Sequence, residues 1–345
     1  SYTLSLHDAL PISDGSPKYE CFFFIADYHA LTTDYADTAE LAANVREVAL
    51  DFLAAGLEPS RSTIFVQSEI EAHFALSSLL EMITPLSWLE RVPTYKDQQE
   101  QLREKDLATI GFLGYPVLQS ADILVYQAEF VPVGQDQAAH VELTREVARR
   151  FNVIFGPKPA AVAKRVAEAE SDKEKLAAME DEPGDFVGVL PEPKVLLTPS
   201  PKLPGTDGRK MSKSYRNTIE LSDSEPQIRA KLKTMVTDPA RIRRTDPGNP
   251  DVCPVFDLHK VFSSAEKQAE VRAGCTSAGI GCIQCKGWLA GAVVEQLAPI
   301  QQRRAYFQAH PEEVDAILDD GAVRARARAE VTMRQVRTAV RLARR

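Results

Sequence analysis

The residues best placed to do chemistry lie in Gly205-Thr206-Asp207-Gly208-Arg209-Lys210-Met211-Ser212-Lys213-Ser214, which sets three cations and three hydroxyls in a glycine-bounded loop. Such a loop could close over a triphosphate, with Lys210 and Lys213 offsetting charge that builds on a reacting phosphorus. A solvated charge run is the plain alternative. Gly134-Gln135-Asp136 follows a short apolar run, where a glycine permits close backbone approach and a carboxylate can bond ribose hydroxyls. Four of the five cysteines, Cys253, Cys275, Cys282 and Cys285, follow the spacing C-x21-C-x6-C-x2-C. Gathered thiolates could bind zinc or a [4Fe-4S] cluster, although a zinc ribbon would show two close pairs and only Cys282/Cys285 is one. Finally, Arg324, Arg326, Arg328, Arg334, Arg337, Arg341, Arg344 and Arg345 are opposed over their stretch by Glu330 alone. With Arg241, Arg243 and Arg244 they suit phosphate contacts, a solvated helix face being the bland reading.

These groups need a scaffold, and 345 residues suffice for two domains with proper cores. The formal charge of -8 argues against a generic DNA-coating protein but leaves room for local basic surfaces. The longest apolar run, Cys21 to Ala26, is far short of the roughly 20 residues of a membrane span. It lacks alternation, the pattern of a strand covered on both faces, as in a parallel sheet. A helix capped near Asp37-Thr38 and stopped at Gly56 follows, then a strand over 62–67 and a helix from Ile70 to about Met82. A short strand at 131–134, a helix to Arg150, a solvated helical excursion over 160–179 and a strand at 194–198 continue the alternation. That order predicts an α/β domain. From Glu225 on the strand signals nearly vanish, so a mostly helical second domain is expected over 225–345, with the α/β domain over 14–224.

The string Lys210-Met211-Ser212-Lys213-Ser214 is similar to the KMSKS signature of class I aminoacyl-tRNA synthetases. In consecutive order, Ala26-Asp27-Tyr28-His29-Ala30-Leu31-Thr32-Thr33, Thr63 to Ser68, Tyr115 to Leu124 and Val131 to Gln137 resemble bacterial tryptophanyl-tRNA synthetases, from about residue 14 to the C-terminus. The resemblance implies a Rossmann-type nucleotide-binding domain, a helical anticodon-binding domain, a cytoplasmic homodimer, and ATP-dependent joining of L-tryptophan to tRNA(Trp), with Mg2+ accompanying ATP. Within it, Asp122 matches the aspartate that reads the indole N-H, a group that can only donate and so needs a fixed acceptor in an apolar wall. Tyr115, Ile123, Val131 and Val133 would be walls of that pocket. Gln119 stands where many relatives carry Met, and His29 and Gln137 are candidates for the amino acid's polar end. Gly134, Gln135 and Asp136 would contact adenosine, with Gln135 where Glu is usual. Lys210, Met211, Ser212, Lys213 and Ser214 would hold the phosphates, Lys210, Ser212 and Lys213 acting in catalysis. Some members of the family carry a [4Fe-4S] cluster with nearly this cysteine spacing, the first gap here being one residue shorter, which makes a cluster the expectation at the four cysteines.

One departure lies at the N-terminus. The class's loop, Gly-x-x-Pro-Thr-Gly-x-Leu-His-Leu-Gly-His or similar, is not found, and Leu6-His7 lacks the flanking glycines. Residues 1–13 read as a non-native leader with a turn signal after it at Asp14-Gly15-Ser16-Pro17. Taken alone, that predicts half a triphosphate clamp and a second possibility: an inactive fragment that binds tryptophan or RNA. A related tyrosine enzyme is the enzymatic alternative, although no second polar residue beside Asp122 is marked for a phenol O-H.

Overall fold

The computed structural model describes residues 12–13, 16–17, 19–92, 107–158, 160–180, 188–197, 203–212 and 215–342. Most of the expected leader therefore lies outside the described residues; within it, β1 (Ile12–Ser13) pairs antiparallel with β2 (Ser16–Pro17). The chain divides into two compact units, the first comprising His7–Ala49, Glu58–Thr198 and Glu312–Arg345, the second Ser1–Leu6, Leu50–Leu57 and Pro199–Pro311.

In the first unit β3 (Cys21–Ile25) runs parallel to β4 (Ser62–Val66), with Cys21 opposite Ser62 and Ile25 opposite Val66. Each of the five β4 residues is buried, whereas the unalternating apolar run of β3, expected to be covered on both faces, is half-buried except at Ile25. A second parallel pair joins β5 (Phe130–Val133) to β6 (Lys194–Leu197). The parallel pairing expected of an α/β domain is thus present, as two pairs among the described residues. Their helices are α1 (Asp27–Asp34), α2 (Leu41–Ala54), α3 (Ala72–Glu81), α4 (Leu86–Leu89), α5 (Ile110–Leu124) and α6 (Ala138–Phe155). The 160–179 excursion is two short helices, α7 (Ala160–Glu168) and α8 (Asp172–Glu180). Gly56, at φ +101°, ends the α2 segment as a left-handed stop.

The second unit holds α9 (Glu225–Thr234), α10 (Pro254–Phe262), α11 (Ala265–Thr276) and α12 (Cys282–Ala309). Ser224 and Gln227 form a capping box at α9, and Ser264 caps α11 by accepting from the Lys267 N-H. Ile228, Leu232, Met235, Phe256, Val271, Leu289 and Val293 form its core.

The expected division at residue 225 differs from the one observed. The second unit begins at Pro199, and the last helix, α13 (Pro311–Ala339), belongs almost wholly to the first. Small residues explain why. A Cβ at Gly321 would lie 1.7 Å from the Ile64 carbonyl oxygen, and Ala322, Ala325, Ala329 and Met333 join Phe65, Leu76 and Val117 in one core. Among the described residues no helix is long and apolar enough to cross a membrane.

Candidate active site

Asp122 lies in the last turn of α5, a helix whose N-cap is Thr109, accepting from the Phe112 N-H at 3.1 Å. It does not begin a helix and so caps none. With Tyr115 and Gln119 it falls on one face at i, i+4 and i+7. The carboxylate is 3% exposed and accepts three hydrogen bonds: from Gln67 Nε2 at 2.7 Å, His73 Nδ1 at 2.6 Å and His29 Nε2 at 2.8 Å. Burial pushes its pKa up, but the bonds from His29 and His73 outweigh that and hold it below the usual carboxylate value. The aspartate is therefore kept charged out of contact with water. Behind it, His73 Nε2 lies 2.7 Å from the Tyr126 hydroxyl. Burial and the Asp122 charge drive the Tyr126 pKa upward, so the phenol keeps its proton and donates to that nitrogen.

Of the other expected pocket residues, His29 bonds this acceptor directly, Tyr115 lies against His29, and Gln119 and Gln137 bond one another. The His29 ring meets the Tyr115 ring edge-on, centroids 6.4 Å apart. Tyr115 Oη is 3.0 Å from His140 Nε2, and Gln119 Nε2 donates to Gln137 Oε1 at 3.4 Å. Ile123 is half-buried one position beyond Asp122, while Val131 and Val133 share one side of β5, the latter buried. Gly134 and Gln135 are exposed where β5 passes into a 3-10 turn, closed by the Gln137 N-H donating to the Gly134 carbonyl at 3.0 Å. The Asp136 side chain is outside the described set.

In the second unit the cationic loop is a hairpin. Pro204 and Lys210 form an antiparallel bridge, the Gly205 N-H donates to the Arg209 carbonyl at 2.7 Å, and Gly208 takes φ +81° at the turn. Asn217, 2% exposed, staples it: Oδ1 accepts from the Ser212 N-H at 2.8 Å, and Nδ2 donates to Asp207 Oδ1 at 2.7 Å and to the Lys210 carbonyl at 3.1 Å. Asp207 is held below the usual carboxylate range by the Asn217 bond first and by Arg209. Lys210 is exposed, Met211 and Ser212 half-buried; Lys213 and Ser214 lie outside the described residues.

The four late cysteines come together in the same unit. Cys253 precedes α10, Cys275 is on α11, and Cys282 and Cys285 open α12; all four thiols are free. Burial raises Cys285 to a pKa of about 12, with further increments from Cys253, Cys275 and Cys282. His259 Nε2 is 3.4 Å from Cys285 Sγ, and Arg241 Nη1 donates to Cys275 Sγ at 3.7 Å. Among the described residues no three ligands are drawn in tightly enough to hold a single metal ion.

Several arginines expected at a phosphate surface bond the protein's own backbone carbonyls. Arg241 Nη2 donates to the Ile280 carbonyl at 2.7 Å and the Arg244 carbonyl at 3.0 Å. Arg324 Nη2 donates to the carbonyls of Pro59 and Ser62, and Arg326 Nη2 to that of Glu69. An Arg-rich run does not distinguish a guanidinium that caps loop carbonyls from one that faces solvent; Arg243, Arg244 and Arg334 are exposed.

Gln67, His73, Tyr126 and Asn217 were not singled out from the sequence. Each is an ordinary polar residue until tertiary structure buries it. The one available signal was Gln67 directly after the apolar Ile64-Phe65-Val66 end of a strand.

A profile of class I tRNA synthetases (W and Y) matches residues 2–298. The chain is 45% identical to a tryptophan–tRNA ligase of Ralstonia nicotianae, covering 94% of this chain and 90% of that one. It is 47% identical to the corresponding ligase of Thermotoga maritima, covering 94% and 89%. Among solved structures, the tryptophanyl-tRNA synthetase of Campylobacter jejuni complexed with ADP and tryptophan superposes with a TM-score of 0.75 at 29% identity, covering 94% of this chain and 90% of that one.

Proposed function

The chain belongs to the class I tRNA synthetases for tryptophan and tyrosine, among the tryptophan–tRNA ligases, and from that premise we propose how its residues divide the work. The reaction has two steps. A carboxylate oxygen of L-tryptophan attacks the α-phosphorus of Mg2+-bound ATP, the bond to the β-phosphate bridge breaks, and pyrophosphate leaves. A hydroxyl of the terminal tRNA ribose then attacks the carbonyl carbon of tryptophanyl-adenylate, and AMP leaves. Both steps are served by positioning and charge stabilisation, so no protein nucleophile is required.

Asp122 is the specificity residue of this reading, and its buried carboxylate, accepting three side-chain hydrogen bonds, is the observation that carries it. A donor-only indole N-H satisfies such an acceptor without itself needing one. Tyr115, Ile123, Val131 and Val133 supply apolar walls, Gln119 and Gln137 a polar edge, and Gly134 to Asp136 the adenosine end. Lys210 and Lys213 counter the triphosphate, and the Asn217 staple fixes the turn that presents Lys210. Exposed arginines such as Arg334 take tRNA phosphates, in a cytoplasmic homodimer. The deciding experiment is amino-acid-dependent ATP–pyrophosphate exchange: tryptophan supports it and tyrosine does not. Exchange driven by tyrosine, or by neither, would overturn the assignment.

Cys253, Cys275, Cys282 and Cys285 fit a [4Fe-4S] cluster better than zinc. One zinc would draw sulfurs to within about 4 Å of each other, given Zn–S bonds of about 2.3 Å, whereas a cluster holds each thiolate on its own iron. What supports the cluster is the spacing C-x21-C-x6-C-x2-C, close to that of family members that carry one, with all four residues in one unit. A Cβ at Gly248 would stand 2.6 Å from Cys275 Sγ, so the backbone there leaves this sulfur its room. When bound, the cluster would cross-link α10, α11 and α12. An anaerobic preparation should be brown with about four irons per chain; stoichiometric zinc without iron would reject the cluster.

A further inference from the structure

A second charged pocket lies in the first unit, at the end of β3 and β4 away from Asp122. Cys21 and Ser62 open the two strands opposite each other, whereas Gln67 and His29 follow their far ends. Four residue steps of about 3.3 Å along β4 put roughly 13 Å between the two places. Beside the strand starts, Arg61, Arg324 and Arg328 line a cavity of ≈ 600 Å³ together with Cys21 and Thr63. Arg324 and Arg328 are one turn apart on α13 and so share a face. Arg324 is tied down: its Nη2 donates to the Pro59 and Ser62 carbonyls, and its Nε lies 2.9 Å from Asp320 Oδ2. The other two are not. Arg61 has one side-chain bond among the described residues, Nη1 to Glu58 Oε2 at 3.4 Å, which leaves Nε and Nη2 buried and unpaired. Arg328 is half-buried and makes no hydrogen bond or ion pair among the described residues, its Nε being wholly out of water.

Three guanidiniums around one cavity repel one another, and a donor removed from water without an acceptor is costly. The neighbouring carboxylates do not relieve this. Glu58 and Asp320 are 58% and 66% exposed, so water screens them, and Glu20 at the pocket's rim is exposed as well. An anion inside the cavity would answer both costs. Arg61 and Arg328 stand on different elements, so the anion must present oxygens in more than one direction. A planar carboxylate is matched by a single guanidinium fork; a tetrahedral phosphate fills one fork and has oxygens left for a second. We propose that this cavity is a phosphate-binding site, with Arg61 and Arg328 as its ligating side chains and Arg324, fixed on backbone carbonyls, as a supporting charge. The site is separate from the tryptophan reading above. Its phosphate is either a free one or a phosphodiester of bound RNA, and both present the same oxyanion.

The test is nitrogen NMR of the arginine-labelled full chain titrated with inorganic phosphate, with acetate and chloride at matched ionic strength as comparisons. The Nε signals of Arg61 and Arg328, assigned with Arg61→Gln and Arg328→Gln, should shift and saturate with phosphate. Either substitution should weaken the response of the remaining arginine at least about tenfold, the effect of losing a charge-assisted bond. Arg61→Lys, which keeps the charge and loses the fork, should fall between, and it serves as the variant least apt to disturb folding. Binding of a tRNA transcript to Arg328→Gln then separates the two sources. An RNA phosphodiester predicts weaker binding with a salt slope smaller by about one; a free phosphate predicts tRNA affinity within about twofold, as for independent sites. Either result keeps the site. Arg61 and Arg328 signals that phosphate leaves in place, or that chloride or acetate moves as far, would overturn it.

Discussion

At the scale of the residue, selectivity depends on one carboxylate kept charged where water does not reach. Removing its charge should therefore cost more than removing a wall. Asp122→Asn is expected to weaken tryptophan binding by about 10- to 100-fold, the range for leaving a buried polar network mispaired, with little change in the weak response to tyrosine; calorimetry with both amino acids checks it. The same charge makes a pH prediction. The folded-state pKa of Asp122 is below its ordinary value because the histidine bonds outweigh burial. Its ionisation thus contributes stability that is fully present above the unfolded carboxyl pKa of about 3.9 and is lost as pH falls through the lower folded value. Circular dichroism during acid titration should show a shallower loss of stability below about pH 4 for Asp122→Asn than for the unsubstituted chain.

At the scale of the element, two loops are held by single residues. Asn217 ties Ser212, Asp207 and Lys210 into the cationic hairpin. Asn217→Ala should lower the exchange rate about tenfold or more, the equivalent of losing a buried hydrogen-bonding centre, while tryptophan Kd stays within about twofold because independent sites add. A matching fall in tryptophan affinity would argue for general unfolding instead. Gly248→Val, which thrusts carbon at Cys275 Sγ, should reduce iron per chain in anaerobic preparations. Elements of this kind were only partly legible in the sequence. The unbroken apolar run at 21–25 and the Gly56 stop announced β3 and the end of α2 because an apolar strand and a left-handed turn leave local marks. The cationic loop and the four cysteines were legible for the same reason, since spacing alone carries them. Asp122 was found through resemblance, but its place in the last turn of α5 was not, and Gln67 and His73 were missed. Their roles exist only once three separate segments meet at one carboxylate, which no local pattern records.

At the scale of the whole molecule, the chain carries two cores, and Asp122 and the four late cysteines belong to different units. Cys282→Ser should accordingly lower iron content and the thermal midpoint of the second unit while leaving tryptophan Kd within about twofold, as expected of independent sites; calorimetric melting with iron analysis separates the two effects. The arginine-rich C-terminal stretch illustrates how composition and placement diverge. Its small residues seat α13 on the first unit, and Arg324 and Arg326 cap that unit's loop carbonyls. The central claim is that a buried Asp122 oxygen selects an indole by its N-H. Calorimetric binding of tryptophan against benzothienylalanine, its sulfur isostere of nearly equal shape but without the N-H, tests this most directly. Tryptophan should bind at least about 100-fold more tightly, as sites built to bond a donor reject analogues lacking it; equal affinity for the two would contradict the account.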